Sequence, residues 1–430
     1  MIPLEFRGKY TSCKVFTENV EPHAVAQIYE FLNCEAFDGC QIRVMPDVHS
    51  GKGAVIGFTS PLNDKVIPHV IGVDIGCGVT AVALDSSSRK VVKAESVLPE
   101  FDQYLRKHVP SGFTHRERPS PRCEWLYKAW FGAGSDWDGF EKAVNESAVR
   151  MGLDPSGVWR QPGSLGGGNH FIEIGKGGDG QLWLVVHSGS RNFGLQVATF
   201  HQKKAVAAMG RRGGLEWLEG QDAQSYLRDM RVAQKFAMMS RLVMLDVLLD
   251  FFDLKIKNAE FVNSTHNFIG DDDVIRKGAI SAKLGEQVII PWNMRDGIVM
   301  GVGKGNADWN TSAPHGAGRA MSRSAAKQLI PMADYKATME AAGVWTSCIS
   351  QGTLDESPQA YKPTDEILAC IGETVEVTDK LQTIYNFKAG GEDRPKWHKT
   401  GKADERPDKA DEKPDKANGT DKANETGGSE

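Results

Sequence analysis

The stretch HVIGVDIGCGV, residues 69–79, is where the apolar patterning of this chain first meets chemistry. An apolar run of strand length, closing on Ile75, feeds a glycine-rich turn that carries Asp74 and Cys77 three positions apart. We read the run as a buried strand and the turn as its polar end. On a tight turn, side chains at i and i+3 can face one ion. A small buried cysteine beside a turn-forming aspartate fits the same letters.

Working outward, the same pattern of a short apolar run meeting a polar turn recurs. QIRVM (41–45), AVIGFT (54–59), HFIEI (170–174), LWLVVH (182–187), EFVNSTH (260–266), QVIIP (287–291) and GIVMGVG (297–303) read as strands. Helical spacing marks 22–31, 140–151, 195–209 and a long helix over about 223–252, taken as a packing helix without chemistry. A further helix is expected from Gly316 to Ile330, stopped by Pro331. The mixture, with no repeat period and no internal linker, predicts an α+β fold built as one large domain over residues 1–390. From Gly391 the composition turns to Lys, Asp, Glu, Gly and Pro with a loose DKA repeat, so residues 391–430 read as a disordered charged tail. That tail holds nine basic and eleven acidic residues, which excludes a basic RNA-binding arm.

The whole chain of 430 residues carries 51 Lys and Arg against 56 Asp and Glu, a net charge of −5. Binding to nucleic acid through bulk charge is therefore excluded, while a local basic cleft is not. Seven scattered cysteines without a CxxC pair argue against a disulfide framework or a zinc ribbon. The opening MIPLEFRGKY lacks the apolar core of a signal peptide, and RLVMLDVLLDFFDL (241–254) is too short and too charged to span a bilayer. The expectation is a cytoplasmic protein with no membrane contact.

His170, His187 and His266 each sit where a predicted strand meets a polar turn. One such histidine is an ordinary structural residue. Three of them beside Asp74 and Cys77 make a His, Cys and carboxylate donor set suited to Zn²⁺, Mn²⁺ or Fe²⁺, and neither the number of ions nor the element follows from the letters. His315 opens HGAGRAMSR, with Arg319 and Arg323 four and eight positions on. On a helix begun at His315 the three would share one face. A neutral imidazole beside two guanidiniums could attack phosphorus while the arginines hold phosphate oxygens. A capped surface helix is the plainer reading. Arg191, Arg276 and Lys277 are further phosphate-type groups, and Asp47 and His49, with Lys52 nearby, lie in PDVHSGKG (46–53), where Asp47 could be a general base or a turn residue.

Taken together, PDVHSGKG, GVDIGCGV, GGGNHFIEI, VHSGSR, THNF, RKGA and HGAGRAMSR stand here in the order found in the RtcB-type RNA ligase family, from about Arg43 to Lys388. The resemblance implies mixed sheets around a central metal and nucleotide cleft. It implies GTP- and Mn²⁺-dependent joining of an RNA 3′-phosphate or 2′,3′-cyclic phosphate to a 5′-hydroxyl, in RNA repair or tRNA splicing. By position it implies two Mn²⁺ ions on Asp74, Cys77, His170, His187 and His266, with the Cys77 thiolate shared. Asn169, Glu173, Asn267 and Lys388 would contact the guanine nucleotide. His315 would become guanylylated, Arg191, Arg319 and Arg323 would hold RNA or nucleotide phosphates, and Asp47 would act as general base. An activating protein partner stays open at this point. The chain departs from the family pattern at PWNMRDG (291–297), where many members resemble PGSMGT. The alternative reading is a metal-dependent phosphoesterase acting on RNA 3′ or cyclic phosphate ends without nucleotide. It leaves His315 without a role. A non-catalytic RNA-handling protein with a structural metal is the third.

Overall fold

Two mainly antiparallel sheets carry the molecule in the computed structural model, which describes residues 3–210 and 213–390. The tail expected to be disordered lies outside the described residues. The first sheet has six strands in the order Leu4–Arg7, Ser12–Val15, Gln41–His49, Ile56–Pro61, Val274–Lys277, Asn267–Ile269. Among the described residues its only parallel pair joins Ser12–Val15 to Gln41–His49. The second has seven strands in the order Gln287–Pro291, Ile298–Gly303, Val375–Lys388, Phe171–Lys176, Leu182–Ser188, Gly78–Leu84, Phe261–Thr265. A two-stranded ribbon pairs Ala279–Ser281 with Ser312–Pro314. Helices and sheets thus form the mixed architecture expected.

The register of the second sheet positions the site. Gly78 lies opposite Ser188 on one side and Thr265 on the other. Phe171 lies opposite His187. Cys77, His187, His266 and His170 therefore reach the same end of four adjacent strands. Both faces of this sheet are buried, which is why its strands read as nearly continuous apolar runs. One face packs Val82, Ile172, Leu184 and Val186 into the main core with Phe236, Met239 and Val243 of the thirty-residue helix Gly220–Leu249. The other face gathers Val79, Val185, Val262 and Met300.

Two elements differ from the sequence reading. Residues 69–75 are not a strand: Pro68–Ile71 is a single helical turn, and Gly72 leaves it at φ 77°. Pro68 sits at the first helical turn, where its missing N–H costs nothing, and a short apolar run does not by itself choose between strand and helix. The strand begins only at Gly78. Nor does a helix start at Gly316. It spans Arg323–Leu329, capped by Ser322, whose hydroxyl accepts from the Ala325 N–H at 3.1 Å. Ahead of it the chain runs through bends, held by Lys362 N–H to Gly318 O and Ala320 N–H to Ala360 O. Gly318 has φ 72°, and any side chain there would collide with the Asp47 backbone. His315, Arg319 and Arg323 therefore share no helix face. The stop at Pro331 is as expected, with Ile330 as the last cap.

Candidate active site

The strand ends bring five donors into a row. Asp74 Oδ2 lies 3.0 Å from His170 Nε2. His170 Nε2 is 3.4 Å from Cys77 Sγ, which is 3.2 Å from His187 Nε2. His187 Nε2 is in turn 3.3 Å from His266 Nε2. All five residues expected as ligands from the sequence thus meet, with Cys77 at the middle. Asp74 and His170 lie to one side of it, His187 and His266 to the other.

The chemistry of this row fits divalent cations. Nitrogen and sulfur ligands about 2.0–2.3 Å from one ion lie within about 4 Å of each other, as these do. Burial holds the His187 and His266 imidazoles well below the usual histidine range, so they are neutral bases. Among the described residues their Nδ1 atoms are buried without a hydrogen-bond partner, and their Nε2 atoms lie against one another. Burial, with Asp74 beside it, pushes the Cys77 thiol well up, so it ionises only with a cation at hand. Asp74 is ionised already: burial opposes this, but His170 and the Cys77 hydrogen bond hold its carboxyl below the carboxylate range.

The surroundings fix this geometry. His170 Nδ1 donates to Leu165 O at 2.9 Å, which orients Nε2 toward Cys77. Arg241, fully buried on the long helix, donates to Gly76 O and Ser188 O at 2.9 Å each and to Thr80 Oγ1 at 2.8 Å. The helix read as mere packing thus reaches both ligand-bearing turns. The letters hold one signal, an arginine inside the apolar run MMSRLVML (238–245).

A cleft of about 350 Å³ opens beside the row, walled by Cys77, His187, His266, Glu173, His315 and Lys388. The His315 ring stands 4.8 Å, centre to centre, from that of His266. Asp47, fully buried, accepts from His315 Nδ1 at 2.7 Å and from its backbone N–H at 3.1 Å. A carboxylate on Nδ1–H leaves the Nε2 lone pair for chemistry. Among the described residues Nε2 has no hydrogen-bond partner.

Further along the cleft, burial raises the Glu173 carboxyl to about 8. It accepts from Asn386 Nδ2 at 2.7 Å and Thr383 Oγ1 at 2.9 Å. Asn169 and Asn267 also line the wall. The Asn267 side chain is used in part on the ligand loop, donating to Asp74 O at 3.2 Å and accepting from Gly278 N–H. Lys388 Nζ reaches Glu356 Oε2 at 3.0 Å and Asn169 O at 3.3 Å. Glu356 escaped the sequence reading. It lies in a single turn of tight helix, Leu354–Glu356, that no motif announces. Burial opposes its ionisation, but Lys388 and Arg323 hold its carboxyl far below the usual range.

The phosphate-type arginines divide. Arg323 is bound to Asp355 at 2.7 Å and to Glu356, and Arg319 donates to Asp355 O at 2.8 Å. Both line the cleft. Arg191 stands apart, on a second cavity reached past Asp74 and His170. Arg276 is fully buried on Asp272 and Ser312 and is structural, whereas Lys277 and His49 face the cleft. The divergent loop at 291–297 also borders it. Trp292 is buried against Ile290 and Ala317. Asn293 accepts from the Arg295 and Asp296 N–H groups, and Arg295 pairs with Asp296, so these polar groups serve the loop itself.

Comparison with known proteins agrees with this arrangement. The family model described as tRNA-splicing ligase RtcB matches residues 31–389. The RNA-splicing ligase RtcB of Escherichia coli K12 is 32% identical over 387 residues, covering 81% of this chain and 90% of that protein. The tRNA-splicing ligase RtcB of Aeropyrum pernix is 28% identical over 406 residues, covering 75% and 82%. The RNA-splicing ligase RtcB of Mycobacterium tuberculosis is 26% identical over 401 residues, covering 75% and 90%. With a match spanning the sheets, the donor row and the His315 segment alike, this chain belongs to the RtcB family.

Proposed function

We propose that this chain is an RNA ligase that joins 3′-phosphate or 2′,3′-cyclic phosphate RNA ends to 5′-hydroxyl ends, consuming GTP through a histidine–GMP intermediate on His315. One observation carries the reading. An imidazole oriented by a buried carboxylate through Nδ1 stands at the end of a row of metal-type donors, with its other nitrogen turned to a nucleotide-sized cleft. The phosphoesterase reading leaves that imidazole without an assigned role.

Asp74, Cys77 and His170 would hold one Mn²⁺ ion, and Cys77, His187 and His266 a second. When bound, the ions supply positive charge against the phosphate oxygens. The protein's own groups do the rest. His315 Nε2 attacks the α-phosphorus of GTP, an N–P bond forms, and pyrophosphate leaves. The Asp47 carboxylate keeps the proton on Nδ1 and stabilises the ring's developing positive charge. Asp47 thus acts by positioning His315, a more specific role than general base. The RNA 3′-phosphate then attacks the phosphoramidate and imidazole departs. Finally the 5′-hydroxyl attacks the activated 3′-phosphorus and GMP leaves. A cyclic phosphate is first opened by water. Glu173, Asn169, Asn267 and Lys388 would contact the guanine nucleotide, and Arg191, Arg319 and Arg323 the phosphates. Residues 1–390 would be the catalytic domain, working in RNA repair or tRNA splicing in the cytoplasm.

Incubation with labelled GTP and Mn²⁺ should label the protein on His315, with an acid-labile, alkali-stable bond, and His315→Ala should lose the label entirely. No labelling, together with cyclic-phosphate opening that proceeds without GTP and survives His315→Ala, would replace this reading with the phosphoesterase.

A further inference from the structure

Part of the cleft wall is a patch of sheet, where strand Phe171–Lys176 runs antiparallel to Val375–Lys388. Glu173 lies opposite Asn386, and Phe171 opposite Lys388. Alternation along a strand sends these four side chains to the face that borders the cleft, and sends Ile172 and Phe387 to the main core. A glutamate and an asparagine are thus set side by side, only 2% and 1% exposed.

The carboxyl is held from two sides. Thr383 Oγ1 donates to Glu173 Oε1 at 2.9 Å, and Asn386 Nδ2 donates to Oε2 at 2.7 Å. Thr383 comes within reach where the register slips, between Thr383 and Tyr385. Each carboxyl oxygen can accept a second hydrogen bond, so a pair of acceptors is left over for a ligand. These two protein donors do not outweigh burial, which raises the carboxyl to about 8, and further N–H donors would favour its charged form.

Asn386 has a matching deficit. Its amide nitrogen is spent on Glu173, and among the described residues its Oδ1 is buried without a hydrogen-bond partner. A buried amide oxygen with no donor is rare and costly in a folded protein. The pair therefore sets acceptor oxygens together in one corner of a cleft of about 350 Å³. Guanine answers such a corner with donors on its pairing edge, the ring N1–H and the 2-amino group. Adenine offers a bare N1 there, which an acceptor repels.

We infer that Asn386 Oδ1 accepts a hydrogen bond from the 2-amino group of guanine while Glu173 accepts from N1–H, so that Asn386 selects GTP over nucleotides whose base lacks that amine. This rests on the ligase reading above and deepens it by naming the residue that chooses the nucleotide.

The test uses the full chain with Mn²⁺ and labels His315 with GTP or with inosine triphosphate, which differs from GTP only in lacking the 2-amino group. In the parent, kcat/KM for labelling should be about tenfold or more lower with inosine triphosphate. Asn386→Val, close in size and suited to a strand, should lose most of the rate with GTP and bring the two nucleotides within about twofold of each other, and the smaller Asn386→Ala should do the same. Thr383→Val takes a donor from Glu173 and leaves Asn386 in place. It should weaken both nucleotides alike and keep the parent's ratio, which separates reading the amine from merely holding the carboxyl. No labelling of the parent by either nucleotide sinks the ligase assignment. Labelling with a parent ratio near one sinks this inference without any variant, as does a ratio that survives in the Asn386 variants. A ratio lost equally in Thr383→Val would also overturn it, assigning the amine to Glu173 alone.

Discussion

The two walls of the cleft are built on opposite principles. On one, Asp74, Cys77 and three histidines crowd their donor atoms together, and among the described residues none of them forms an ion pair with a lysine or arginine. On the other, Lys388, Arg319 and Arg323 converge on Glu356 and Asp355, and the charges answer one another. The first wall is costly to fold, and its donor set could hold a metal ion. The second is satisfied before any ligand arrives. Function should therefore be concentrated on the first and stability on the second.

That contrast can be broken by experiment. The largest effect is expected from Cys77→Ala. Guanylylation and joining should fall below detection, because the donor common to both halves of the row is gone, while the metal-free melting temperature stays within a few degrees of the parent. A collapse of the metal-free fold would show that the donor row is also a structural element. Next comes Glu356→Gln. It leaves Lys388 and Arg323 facing each other without their shared carboxylate, and should lower stability by about 3–5 kcal/mol, read from urea denaturation. A variant as stable as the parent would mean the second wall is not satisfied by its own charges. The smallest and most informative effect concerns Glu173, whose carboxyl is raised to about 8 by burial. A folded-state value above the unfolded one means stability present at acid pH and lost as pH rises. The loss should begin above the ordinary carboxyl value, about 4.3, and level off past 8. Glu173→Gln should flatten that slope, and a slope identical to the parent's would assign the titration elsewhere.

How much of this was legible beforehand follows the same division. The donor row could be read because each of the three histidines flanks an apolar strand run, and antiparallel register carries strand ends to a common edge. HFIEI and LWLVVH were placed within a residue or two. The segment before Cys77 was misread as strand because Pro68 and Gly72 act through backbone angles that an apolar run does not display. The helix expected from Gly316 starts only at Arg323, because pairing of the preceding segment with residues 360–362 outweighs the helix preference of Ala and Arg. Glu356 and Arg241 went unseen for a different reason. Their roles depend on burial of a charged group, and a charged letter in a sequence reads by default as solvated.

Arg241 also has a consequence for how the ions would be received. A guanidinium is a flat, stiff object, and this one grips a carbonyl from each of the two turns that deliver Cys77 and His187. Both carbonyls are held by the same nitrogen, Nη1, so the two turns are pinned to a single point on a helix buried in the core. Any ion seated there would meet a thiol and an imidazole whose alignment hangs on one buried nitrogen.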